Sequence, residues 1–143
     1  MQYIIKNIQD WNEIIKKIKK FIKPNNFLFL SGELGTGKTA FTKLLLKSFG
    51  VENNVTSPSF VILNTYFANG LTINHMDAYR LNFNEDMALY DELFDSSFNI
   101  IEWPDNVVIN NANPKNTIKM KITLSEDNEI RIVNIESTDF EIF

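Results

Sequence analysis

The run Gly32-Glu33-Leu34-Gly35-Thr36-Gly37-Lys38-Thr39 stands between an apolar stretch, Phe27-Leu28-Phe29-Leu30, and a segment with helical spacing, Phe41, Leu44, Leu45 and Phe49. A strand that enters a glycine-rich loop and leaves it as a helix is the setting of a phosphate-binding loop. Such a loop constrains the chain to an α/β architecture, with the loop at the C-terminal edge of a strand. Glycines let the backbone curl until successive N–H groups face inward, Lys38 can reach the β- and γ-phosphates, and Thr39 can offer its hydroxyl to Mg²⁺. The following helix adds the positive end of its dipole. Three of the five glycines fall in this loop, so the enrichment is local to the motif. An ordinary strand-to-helix turn with a solvated Lys38 is the bland alternative, and the flanking strand and helix argue against it. A nucleoside triphosphate is therefore the first candidate ligand.

At 143 residues and 44% hydrophobic, the chain is expected to be a single phosphate-loop domain over residues 1–143 with a real core. It has no run of eighteen apolar residues, and Met1-Gln2-Tyr3-Ile4-Ile5-Lys6-Asn7 lacks the layout of a signal peptide, so a cytoplasmic, membrane-free protein is expected. The absence of cysteine excludes disulfides, thiolate catalysis and cysteine-ligated zinc, and the lone histidine, His75, argues against a His-based metal site. His75 itself reads as a locally hydrogen-bonded strand residue without chemistry. The net charge of −4 is unevenly spread: residues 1–23 hold six lysines against Asp10 and Glu13, while residues 77–143 hold fourteen acids against five bases. Lys16, Lys17, Lys19, Lys20 and Lys23 read as a solvated helix face rather than a nucleic-acid contact, because no aromatic residues interleave with the lysines on that face. The acidic half suits a protein partner.

The spacing predicts a strand at Tyr3-Ile4-Ile5, then a helix opened by Asp10 with Glu13 completing a capping box, its core stripe Trp11, Ile14, Ile15, Ile18, Phe21 and Ile22. Lys23-Pro24-Asn25-Asn26 stops that helix. After the loop, a helix over residues 38–49 is closed by Gly50. Alternating runs at 59–67 and 71–77 flank Ala68-Asn69-Gly70 as a hairpin, which makes the sheet mixed. A short acidic helix is expected around 84–93, a strand at 98–103, and a final hairpin from 117–124 and 129–135.

A phosphate loop hydrolyses nothing by itself; it needs metal ligands and a group that orients water, at the C-terminal edges of neighbouring strands. Asp77 leaves the strand Leu71-Thr72-Ile73-Asn74-His75-Met76 where a Walker-B acid would lie, and Glu102 leaves Phe98-Asn99-Ile100-Ile101. Each is a lone carboxylate on an apolar strand. Arg80 stands close enough to Asp77 to pair with it.

Four segments in order, Gly-Glu-Leu-Gly-Thr-Gly-Lys-Thr, Thr56-Ser57-Pro58-Ser59-Phe60, His75-Met76-Asp77-Ala78-Tyr79-Arg80-Leu81 and Ile101-Glu102-Trp103-Pro104, resemble the TsaE family, also called YjeE, across residues 3–135. That family supplies the ATPase subunit of the bacterial machinery that makes N6-threonylcarbamoyladenosine at position 37 of tRNA. The resemblance implies a P-loop NTPase-like three-layer α/β sandwich with a mixed, mainly parallel central sheet and antiparallel hairpins. It implies ATP and Mg²⁺ as ligands, with Glu33, Leu34, Gly35, Thr36, Gly37, Lys38, Thr39 and Ala40 around the phosphates. Thr39, Glu102 and Asp77 would serve the metal, and Lys38, Asp77 and Glu102 the chemistry. Ser57 and Ser59 match a switch-like loop near the γ-phosphate, Trp103 lies by the nucleotide, and Arg131 matches a late nucleotide-contacting arginine. The implied partners are the TsaD and TsaB proteins, with tRNA reached through their complex. The family often has Asp at Glu33, Thr at Ala40 and Thr at Ser59; Ser59 keeps the hydroxyl and Ala40 loses one.

Two other functions are open to a chain with this loop. A small-molecule kinase would close arginines over the transferred phosphoryl group, and only Arg80 and Arg131 are present. A nucleotide-gated binding module with negligible turnover is the other. A GTPase is disfavoured because Asn113-Pro114-Lys115-Asn116 lacks the acid of an Asn-Lys-x-Asp signature.

Overall fold

The computed structural model describes residues 1–143 except Phe60, Phe83, Glu85 and Phe140. Its strands are β1 (Gln2–Ile5), β2 (Phe27–Ser31), β3 (Leu63–Ala68), β4 (Leu71–Asp77), β5 (Phe98–Glu102), β6 (Thr117–Leu124) and β7 (Arg131–Glu136); its helices are α1 (Trp11–Lys19), α2 (Lys38–Phe49) and α3 (Ala88–Phe94). The strands form one sheet in the order β1-β7-β6-β2-β5-β4-β3. The middle four, β6-β2-β5-β4, run parallel. Both flanks are antiparallel: β3 on β4, β7 on β6, and β1 on β7. The sheet is therefore mixed with a parallel centre, as its alternating and continuous apolar runs imply.

β2 shows why the sheet has two covered faces. Leu28 and Leu30 turn into the cluster built with Trp11, Ile14, Ile18, Phe41 and Leu45 of α1 and α2. Phe27, with Phe29 packed against it, turns the other way, into the cluster of Met76, Phe94, Ile101 and Val107. A strand sandwiched on both sides has no polar face to show, so it reads as a continuous hydrophobic run. Burying a side chain such as Phe27 stabilises by roughly 1.5–3 kcal/mol. Trp11 and Phe41, with ring centroids 5.0 Å apart, join α1 to α2, and Phe27 meets Phe94 edge-on at 5.8 Å. The result is the three-layer, P-loop NTPase-like α/β arrangement. Among the described residues, no helix is long and apolar enough to cross a membrane.

The parallel centre decides where chemistry can gather. β2, β4 and β5 all end at the same edge, and Asp77 and Glu102 are direct register partners there, with Leu30 of β2 next to Glu102. A buried amide network holds β4 and β5 to the end of α3. Asn74 Nδ2 donates to Asn99 Oδ1 (2.9 Å) and to the Leu93 carbonyl (2.8 Å), and Asn99 Nδ2 donates to the Phe94 carbonyl (3.0 Å).

Three sequence expectations need correction. The first helix is capped one turn early: the Asn7 side chain accepts from the Asp10 amide, the Asp10 carboxylate accepts from the Asn7 amide, and a 3-10 turn over Ile8–Asp10 leads into α1. Asp10 is thus the inner member of the capping box, and Glu13 instead pairs with Lys17 at 3.5 Å. The strand expected from residue 59 begins at Leu63, because the Val61 and Ile62 amides both donate to the Pro58 carbonyl and Ile62 takes φ 71°. A turn closed by its own hydrogen bonds cannot offer those amides to a neighbouring strand. The acidic helix starts at Ala88 rather than 84, with Asp86 Oδ1 accepting from the Ala88 amide at 3.0 Å. Within the two expected segments, Phe60 and Glu85 lie outside the described residues.

Candidate nucleotide site

The loop between β2 and α2 is shaped by its glycines at two points. Gly32 takes φ 148°, and a Cβ there would lie 2.5 Å from the Ile122 carbonyl oxygen and 2.8 Å from Thr36 Oγ1. The loop root is pressed against β6, and only glycine fits. Gly35 takes φ 80°, and a Cβ there would meet nothing within 4 Å, so its Cα faces open space. Arg131, the first residue of β7, clamps the loop from outside: its Nε donates to the Thr36 carbonyl at 2.8 Å and lies 3.0 Å from where a Gly37 Cβ would stand. A cavity of about 880 Å³ opens beside the loop, bordered by Gly32, Glu33, Thr36, Trp103 and Lys121.

Lys38 begins α2 and bends back into the loop. Its Nζ donates to the carbonyls of Gly32 and, at 3.2 Å, of Glu33. It lies 4.6 Å from the centroid of the Trp103 ring. Burial pushes the ammonium below the ordinary lysine pKa, while the carboxylates of Glu102, Asp77 and Glu33 pull it back up. A cation with less solvation than water gives is a receptor for an anion. Trp103 reaches this position from a left-handed backbone, φ 58° and ψ 50°, just past the end of β5. A bulky residue in that region carries strain, and such strain gathers at working sites. The Tyr79 ring packs against the Trp103 ring, with centroids 4.9 Å apart.

Asp77 is fixed at both oxygens. Oδ1 accepts from the Tyr79 amide (2.9 Å) and Oδ2 from Ser59 Oγ (3.2 Å), which in turn lies 2.6 Å from Ser57 Oγ. Ser57, Ser59 and Asp77 therefore form one polar chain at the sheet edge. Among the described residues Arg80 makes no ion pair with Asp77, contrary to the pairing expected from their spacing; a backbone amide and a hydroxyl serve the carboxylate instead. Glu102 is 3% exposed, and its Oε2 lies 2.6 Å from Nε2 of the fully buried His75. His75 was expected to bond locally, and that expectation is corrected: its partner is on the neighbouring strand, 27 residues on. The signal was available in part. Residues two apart on a strand share a face, so His75 had to look the same way as Asp77.

The structure thus brings Lys38, Glu102, Asp77, Trp103, Thr36, Arg131, Ser57 and Ser59 to one edge. Thr39 is half-buried at the start of α2, and its hydroxyl makes no hydrogen bond among the described residues. Glu33, Leu34 and Ala40 are exposed, Leu34 by 66%, so their side chains contribute no buried contact. A second cavity of about 400 Å³, lined by Phe29, Val107 and Ile109 together with Lys119, Glu136 and Thr138, includes no loop residue.

The donor set fits magnesium. Thr39, Asp77 and Glu102 offer hard oxygens at one edge of the sheet. Magnesium is usually held by one or two protein oxygens together with phosphates and waters. The curled loop, open at Gly35 and backed by a partly desolvated ammonium, fits a phosphate chain.

Residues 5–133 match the family model described as TsaE, threonylcarbamoyl adenosine biosynthesis protein TsaE. A protein of Rickettsia bellii called tRNA threonylcarbamoyladenosine biosynthesis protein TsaE is 33% identical over 94% of this chain and 93% of its own length. The protein of the same name from Bacillus subtilis is 32% identical over 88% of this chain and 79% of its own. The one from Rickettsia felis is 35% identical over 71% of this chain, which spans 61% of that relative. Among solved structures, Bacillus subtilis YdiB superposes with a TM-score of 0.75 at 23% identity, covering 99% of this chain and 88% of that one, a likeness of fold.

Proposed function

The chain belongs to the TsaE family of threonylcarbamoyl adenosine biosynthesis proteins, and from that premise we propose that it is the Mg²⁺-dependent ATPase of this pathway, acting on a complex of TsaB and TsaD that modifies tRNA. Membership places it in threonylcarbamoyladenosine biosynthesis; the nucleotide, the metal and the partners are the reading we add. The observation that carries it most is the register pairing of Asp77 with Glu102 at the tips of β4 and β5, both within electrostatic reach of Lys38.

In this reading the amides of Gly35, Thr36, Gly37, Lys38 and Thr39 wrap the phosphates, and Lys38 exchanges its loop carbonyls for β- and γ-phosphate oxygens. The exchange replaces neutral acceptors with charged ones, which make shorter and stronger hydrogen bonds. Thr39 Oγ1 and the Glu102 carboxylate would hold the magnesium, which when bound neutralises charge on the β- and γ-oxygens. Asp77, held at both oxygens by Ser59 and the Tyr79 amide, would orient the attacking water or assist through metal-bound water. Ser57 and Ser59, tied to Asp77, sense whether the γ-phosphate is present. Trp103 shields the ammonium from solvent on one side, and Arg131 keeps the loop in its curled form through the Thr36 carbonyl. A domain with this much of its edge given to phosphate has little room for a second small substrate, so the cycle acts through protein contacts, in the cytoplasm where tRNA is modified.

The test is steady phosphate release, measured with the chain alone, with TsaB and TsaD from the same organism, and with tRNA added. Mg²⁺-dependent release that changes on adding the partners supports the reading. A phosphorylated metabolite in place of free phosphate would make the protein a kinase, and nucleotide binding with no release under any condition would make it a binding module.

A further inference from the structure

His75 is the chain's only histidine and is fully buried, yet the activity proposed above gives it no task. It sits on β4 opposite Ile100 of β5, with Asp77 opposite Glu102 one same-face step further on. His75 and Glu102 are therefore diagonal neighbours on one face of the sheet, close enough for long side chains to meet. They meet at 2.6 Å between Nε2 and Oε2, with both side chains out of solvent.

The other ring nitrogen decides the direction of this bond. Nδ1 is buried and has no hydrogen-bond partner among the described residues. A buried N–H without an acceptor costs more than a bare lone pair, because the donor forfeits a strong bond to water. The bond therefore runs from Nε2–H to Glu102 Oε2, with Nδ1 as the unpartnered nitrogen. That donor compensates one oxygen of a carboxylate held 3% exposed, and it removes the rotational freedom the side chain would otherwise keep.

We propose that His75 is a positioning residue: its Nε2–H locks Glu102 Oε2, leaving Oε1 as the oxygen committed to the metal of the nucleotide complex. The proposal rests on the ATPase reading for the metal and on nothing but geometry for the hydrogen bond. Outer partners of this kind orient a ligating group and typically change metal affinity by roughly 10- to 100-fold. A glutamine at position 75 carries its amide N–H near the place of Nε2, whereas asparagine reaches only about as far as Nδ1.

Two measurements test it. In ¹⁵N-histidine-labelled protein the single ring gives one unambiguous pair of nitrogens at neutral pH; Nε2 should be protonated and Nδ1 bare. An Nδ1–H tautomer, which leaves Nε2 without a proton to donate, overturns the proposal without any reference to ATP. The second is Mn²⁺ binding by electron paramagnetic resonance, with a non-hydrolysable ATP analogue bound, in wild type, His75→Leu, His75→Gln and His75→Asn. Metal affinity should fall roughly 10- to 100-fold in His75→Leu and His75→Asn and recover in His75→Gln, with nucleotide affinity in EDTA the same in all four. Equal Mn²⁺ affinity across the set, or a loss in His75→Gln as large as in His75→Leu, overturns it. Should His75→Leu fail to fold, the glutamine and asparagine pair carries the comparison. If the wild-type complex binds no Mn²⁺, the ATPase reading itself falls, an outcome distinct from one in which wild type and variants bind alike.

Discussion

Replacing Gly32 by alanine should damage this protein far more than the same change at Gly70, although both glycines have positive φ. Gly70 closes the β3–β4 hairpin at φ 74°, and a Cβ there meets nothing within 4 Å. The substitution therefore costs only the left-handed conformation, about 1–2 kcal/mol. At Gly32 the φ of 148° is joined by a Cβ only 2.5 Å from the Ile122 carbonyl oxygen, an atom of the β6 backbone that cannot swing aside as a side chain could. Backbone strain of about 1–3 kcal/mol then adds to an overpacking cost of about 1–3 kcal/mol, for a total of about 2–6 kcal/mol. Urea unfolding followed by circular dichroism measures both variants on the same scale, with an unchanged m-value showing that the loss is in the native state. Binding of a fluorescent ATP analogue reads the local consequence. Since Gly32 roots the phosphate loop and Gly70 sits at the other end of β4, Gly32→Ala should lose more than tenfold in affinity while Gly70→Ala keeps wild-type binding. Equal stability losses in the two variants, or normal nucleotide binding in Gly32→Ala, would refute the close-approach argument.

Glu102→Gln, which keeps the shape and removes the charge, should lower Mg²⁺-dependent turnover on the order of 100-fold and raise the Mg²⁺ concentration needed for half-maximal rate; a phosphate-release assay across a magnesium series decides it. Lys38 has its pKa lowered by burial, so between that lowered value and 10.5 the unfolded chain binds the proton that the folded one has released. Its contribution to stability therefore rises as pH increases through that window, while nucleotide affinity, which needs the ammonium, falls. Thermal melts and nucleotide titrations over the alkaline range should show opposite slopes, both removed in Lys38→Met.

The centre of this fold is legible because local rules and the tertiary structure agree there. Phe27-Leu28-Phe29-Leu30 is apolar on both faces because both are covered, α2 runs from Lys38 to a left-handed Gly50, and Asn69-Gly70 makes its hairpin turn with both residues at positive φ. Asp77 and Glu102 could be picked out because each is a lone acid at the end of an apolar strand. What escaped were features set by contacts distant in sequence. The bond from His75 to Glu102 requires β4 and β5 to be adjacent and in a particular register, and no periodicity along one strand carries that information. The left-handed Trp103 and the positive φ of Ile62 run against the preferences of bulky and β-branched residues, so local propensity points away from both. The helix cap shifted for a smaller reason. Asn7 and Asp10 satisfy the same capping pattern as Asp10 and Glu13, and the extended backbone of Asn7 selects the first.

The most direct test of the account is a crystal of the protein with a non-hydrolysable ATP analogue and Mn²⁺, with the metal located by its anomalous scattering. The account predicts triphosphate oxygens in the curl of residues 35–39 and a single manganese peak bonded to Thr39 Oγ1, with Glu102 bonded to it directly. A nucleotide bound away from that loop, or a metal touching neither Thr39 nor Glu102, would contradict it.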